Sequence, residues 1–200
     1  MAASVRVLGV DPGLTRCGVG VVDVVHRTPT LVHVEVLRSD AQEPIEQRLL
    51  RIARGVEAAI DAHRPDAIAL ERVFAQSNLR SVMGVAQISG IVLRAAAERG
   101  IPISLLTPTE VKAAVTGYGA ADKRQVGEMV RRLLRLEAAP KPADAADALA
   151  IAIAEGWRAH IPRAGATSGP SSGAASAVTP AQRAWAAAES AARSGRTGRR

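Results

Sequence analysis

Two hundred residues with 48% apolar composition can build one domain with a real core, and nothing in the chain suggests a second one. The net charge of +7 invites a nucleic-acid reading, yet six arginines against Glu189 in residues 161–200 leave only +2 on the first 160, so a DNA face must come from local clustering. One cysteine excludes an internal disulfide, and the longest apolar run, 148–154, is too short to span a bilayer; a soluble, cytoplasmic protein is expected.

In chain order, residues 5–10 and 17–24 are rich in Val, Leu and Gly and read as strands buried on both faces. Residues 31–38 alternate Leu31, His33, Glu35 and Leu37 against Val32, Val34 and Val36, a third strand. Short connections make the three an antiparallel meander. Cys17, inside a Val-rich strand, reads as a small buried residue and not as a nucleophile. Over 43–63 the apolar residues Ile45, Leu49, Ile52, Ala53, Val56 and Ile60 recur at helical spacing, giving an amphipathic helix that crosses over the sheet. Pro65 stops it, and 66–71 follows as a fourth strand ending on Glu71.

After a loop over 72–78, the helix expected at 79–99 is apolar nearly all round. Such a helix is either sandwiched in a core or shared with a partner, and a dimer interface that includes Val85 and Ile88 is expected. Residues 103–107 form a fifth strand, and Thr107-Pro108-Thr109-Glu110 opens a helix well. A further helix over 122–136 turns Val126, Met129, Val130, Leu133 and Leu134 inward, and a final one runs over 143–160. The class is therefore α/β, with a mixed five-stranded sheet flanked by helices. Residues 1–161 form this domain; 162–200, rich in Ala, Ser, Gly and Arg, are expected to be a disordered basic tail.

Acids punctuate this pattern at the strand ends. Asp11 follows the first strand and Glu71 ends the fourth, while Asp144 and Asp147 sit three apart, on one face of a first helical turn. Singly, each has a plain explanation: Asp11-Pro12-Gly13 is good turn chemistry, and Asp144 is a natural N-cap. If the first and fourth strands lie parallel and adjacent, however, all four carboxylates meet. Such a cluster repels itself unless a cation sits within it, and hard oxygen donors suit Mg²⁺. Two such ions can activate water and stabilise the leaving oxygen of a phosphodiester.

The segments Leu8-Gly-Val-Asp-Pro-Gly13, Leu70-Glu-Arg-Val-Phe74, Val111-Lys-Ala-Ala-Val-Thr-Gly117, Ala121-Asp-Lys-Arg-Gln-Val126 and Ala143-Asp-Ala-Ala-Asp-Ala-Leu-Ala150 together resemble the RuvC family of crossover junction endodeoxyribonucleases. The resemblance covers about residues 5–160. It implies an RNase H-like fold, a homodimer, and Mg²⁺-dependent paired nicking of two strands of like polarity at a four-way (Holliday) DNA junction. It also implies two Mg²⁺ per site, with Mn²⁺ as a substitute, and a branch-migration helicase complex of RuvA and RuvB type as partner. The family's acidic tetrad falls on Asp11, Glu71, Asp144 and Asp147; some relatives carry His where this chain has Asp144.

Phe74, the only Phe, is either a core residue or a ring that stacks on a base at the junction centre, the role the resemblance supports. Lys112 and Lys123, two of only three lysines, lie in matching segments and are expected to hold phosphate; Arg124 extends a basic face or a merely solvated helix side. Two other classes fit parts of the pattern. An actin-like or sugar-kinase-type ATPase shares the strand, Asp-Gly turn and strand but needs a second lobe, and a pure branched-DNA binder does not need four acids.

Overall fold

A computed structural model describes residues 4–72 and 79–159. Strands β1 (Val5–Asp11), β2 (Arg16–Val25) and β3 (Thr28–Arg38) form the antiparallel meander. Helix α1 (Ile45–His63) crosses over to β4 (Ala67–Glu71), and α2 (Leu79–Glu98) leads to β5 (Ile103–Leu106). Helices α3 (Pro108–Thr116), α4 (Lys123–Leu133) and α5 (Ala143–Ala159) complete the described order. The strands stand in the order β3-β2-β1-β4-β5, with β1 parallel to β4 and β4 parallel to β5.

Both faces of the sheet are covered, as its unbroken Val and Leu runs require. Leu8, Val10, Val19, Val21, Ile68 and Leu70 pack with Ile52, Val56 and Ile60 of α1 and Ile88 and Val92 of α2. Val7, Val22, Val24 and Leu106 pack on the opposite face with residues of α3, α4 and α5. Cys17 is fully buried in the first of these clusters, and burial pushes its thiol up to about 12, so it stays neutral and takes no part in chemistry.

Two boundaries and one helix face differ from the sequence reading for physical reasons. Strand β3 begins at Thr28, because His26 and Arg27 both take left-handed backbone angles and close a two-residue hairpin. No Gly or Asn marks that turn, and Trp157 of α5 steadies it by donating Nε1–H to the Arg27 carbonyl at 2.7 Å. Helix α4 ends at Leu133, since Leu134 caps it and Arg135 turns left-handed. The apolar girdle of α2 also divides differently: Ile88 is fully buried beneath the sheet and Val85 is half-buried, whereas Met83 and Leu93 are 54% and 38% exposed. An interface through Ile88 is therefore ruled out, and the outward face of α2 is the one through Met83, Ala86, Gly90 and Leu93.

Helix α5 lies unusually close to the sheet. A Cβ placed on Gly9 would stand 2.3 Å from the Ala148 carbonyl oxygen, and one on Gly18 would stand 2.2 Å from that of Asp144. Only glycine in the strands permits this approach, and the buried Ala148 and Ala152 complete the contact from the helix side. Further along, Ser104 of β5 donates to Glu155 at 2.8 Å and ties the helix to the far strand. Gly9→Ala should force α5 off the sheet and lower stability by about 2 kcal/mol, read as an earlier urea midpoint at unchanged slope.

Candidate active site

Parallel pairing sets Val10 level with Leu70, so the next residues, Asp11 and Glu71, leave the sheet side by side. Their carboxyls lie close enough to act on each other directly. Burial, together with the charges of Glu71, Asp147 and Asp144, pushes Asp11 up to about 8. Burial and the Asp147 charge raise Glu71 as well.

Helix α5 begins at Ala143, so Asp144 is inside the first turn and is not its N-cap. The two aspartates diverge from there. Asp144 turns toward β2, where Arg16 Nε lies 3.1 Å from its Oδ2. Asp147 turns toward α4, where Lys123 Nζ lies 3.4 Å from its Oδ2. Asp147 in turn holds the Lys123 ammonium above the ordinary lysine range.

Capping boxes fix both lysines. Thr107 and Glu110 close the start of α3, one turn before Lys112, and Asp122 with Gln125 closes the start of α4 immediately before Lys123. A cleft of about 270 Å³ results, lined by Asp11, Glu71, Asp147, Lys112 and Lys123 with Pro108, Val111, Val126, Ala150 and Ile151. Asp144 stands beside this cleft, paired to Arg16. Arg124 is exposed and lines no part of it, and Phe74 lies outside the described residues.

Among the described residues no three His, Cys, Asp or Glu side chains are gathered around a common point for a metal ion. The donor chemistry nonetheless fits one. All four acids offer hard oxygen, and a carboxyl held protonated up to about 8 marks a site short of positive charge. The proton on Asp11 and the cations Arg16 and Lys123 supply that charge in the arrangement described.

The family model for crossover junction endodeoxyribonuclease RuvC matches residues 7–155. The chain belongs to the RuvC family. A crossover junction endodeoxyribonuclease RuvC of Leifsonia xyli subsp. xyli is 59% identical over 192 residues, 93% of this chain and 92% of the relative. Another, from Rhodococcus opacus, is 62% identical over 157 residues, 78% of this chain and 83% of the relative. The solved structure of T. thermophilus RuvC in complex with a Holliday junction substrate matches with a TM-score of 0.74 at 40% identity, covering 78% of this chain and 94% of that one.

Like its RuvC relatives, the chain has the RNase H-like fold and is a structure-specific, junction-resolving endonuclease of DNA recombination and repair. Membership also implies Mg²⁺-dependent catalysis. Sequence reasoning missed Arg16 as the partner of Asp144, and the glycines that seat α5. The spacing of Gly9, Gly18 and Gly20 against an alanine-rich helix was the available signal for the latter.

The Asp11 carboxyl binds its proton more tightly in the folded chain than in the unfolded one, where its affinity is ordinary. Without metal, its contribution to stability is therefore lost as pH rises from about 4 toward about 8. Asp11→Asn should accordingly melt a few degrees higher than the unaltered chain at pH 8 in EDTA. The gap should close at pH 4, and calorimetry at the two pH values checks both.

Proposed function

We propose that Asp11, Glu71, Asp144 and Asp147 are the catalytic, metal-holding acids of a Mg²⁺-dependent nuclease that resolves four-way junctions by paired nicks in two strands of like polarity. The convergence of acids from β1, β4 and α5 beside two lysines, in a chain of this family, supports the reading. Four carboxylates suit two Mg²⁺ per site, with Mn²⁺ as a substitute. When bound, the ions supply an activated water and stabilise the departing oxygen.

The chain's own residues do the rest. Lys112 and Lys123 hold the scissile phosphate as point charges, and Asp147 keeps Lys123 charged at the cleft wall. Arg124, exposed on the same helix as Lys123, extends the DNA face beyond the cleft. Hydrolysis adds water across the P–O3′ bond and leaves a 5′-phosphate and a 3′-hydroxyl, ends that a ligase seals. The stacking of Phe74 on an unpaired base at the junction centre rests on the family resemblance.

The paired cuts call for two sites, hence a homodimer, and the exposed face of α2 is its candidate surface. A cytoplasmic setting and a branch-migration helicase complex of RuvA and RuvB type go with this role. Residues 1–161 form the nuclease domain in this reading, and 162–200 a basic extension. No helix among the described residues is long and apolar enough to cross a membrane.

Asp11→Asn should bind a synthetic four-way junction normally and cut it roughly a hundredfold more slowly or less in Mg²⁺; undiminished cutting would remove Asp11 from the mechanism. Leu93→Glu should sediment as a folded monomer, whereas Ile88→Glu should lose the fold. A dimer that survives Leu93→Glu would clear this face of α2.

A further inference from the structure

The sheet sets a second group of cations on the opposite flank of the carboxylates. Arg16 opens β2 and Arg38 closes β3, and the antiparallel register puts them directly opposite each other. Their neighbours Cys17 and Leu37 pack on the α1 side of the sheet, so both arginines stand on the side of α5. Both are exposed.

Folding gives no reason for this pair. Like charges directly opposite on adjacent strands repel, and among the described residues Asp144 is the one carboxylate paired to either arginine. A guanidinium carries five donors, and Asp144 engages one edge of Arg16 at most. An anion between Arg16 and Arg38 would turn their repulsion into a shared attraction.

The order of strands says which anion. From β3 toward β5 the site runs from the two arginines through Asp144, Asp11 and Glu71 to Lys123 and Lys112. A DNA strand drawn across four acids has to be gripped on both sides, and the lysines grip only one. We propose that Arg16 and Arg38 form a second phosphate clamp, which holds the DNA backbone on the β3 side of the carboxylates, with Arg16 bridging Asp144 and the phosphate. The clamp rests on the reading of this site as one that works on DNA, and it adds a contact which that reading does not contain.

The test is the salt dependence of binding to a synthetic four-way junction, followed by fluorescence anisotropy in EDTA over a range of KCl. Arg38→Ala should weaken binding about three- to tenfold at moderate salt and reduce the slope of log K against log salt by about one. Arg38→Lys should keep most of the slope. Arg54→Ala removes the same charge from the exposed side of α1, across the sheet, and should leave the slope unchanged. An unchanged slope in Arg38→Ala, or an equal loss in Arg54→Ala, would overturn the clamp. Cleavage of the same junction by the unaltered chain in Mg²⁺ is read separately. Binding without cleavage would sink the nuclease reading while the slopes still judge the clamp, and no binding at all would sink both.

Discussion

The distance between α5 and the sheet governs everything the site can do. Where strand residues 9 and 18 would carry side chains, the backbone carbonyls of the helix are found. An ordinary helix packs on a sheet with side chains filling the gap. Here the filler is removed from both partners, so the first turn of α5 drops to the level of the strand ends. Asp144 and Asp147 then reach the same end of the sheet as Asp11 without long side chains, and short side chains hold their positions with little rotational freedom to lose.

That closeness has an electrostatic consequence. Carboxylates drawn together in a partly buried place must be compensated. A proton on Asp11, the guanidinium of Arg16 on Asp144 and the ammonium of Lys123 on Asp147 together provide that compensation. Each is exchangeable. Protons leave with rising pH, and exposed ion pairs are weak enough to yield to a stronger charge. The two aspartates of α5 therefore face outward to their own cations and not toward one shared point, although all four acids belong to one electrostatic unit.

Much of this was legible in the sequence because it was written in strong signals. Valine runs ending in acids marked β1 and β4, and the parallel adjacency on which the sequence reading made their meeting conditional is present in the sheet. The four acids, Lys112 and Lys123 were all identified from motif context, and all but Asp144 line the cleft. What stayed hidden depended on three-dimensional neighbours. The hairpin at His26 and Arg27 uses residues that do not advertise a turn, and the pairing of Arg16 with Asp144 joins positions far apart in the chain. The mistaken choice of Ile88 for an interface came from a helix whose girdle is apolar on both sides; periodicity alone does not say which side the sheet takes.

Lys123 occupies the first turn of α4, where the helix already presents partial positive charge from its unpaired amides. A cation there works against the helix, and the Asp122 cap together with the charges of Asp147, Asp11 and Asp144 offsets it. The buried acid on β1 is the opposite case, since burial and the neighbouring carboxylates disfavour its charge. Thermal robustness thus weighs against a charged Asp11 and not against Lys123. A laboratory selection for heat resistance alone would replace that acid first, and if Asp11 acts as proposed above the hardier protein would no longer cut.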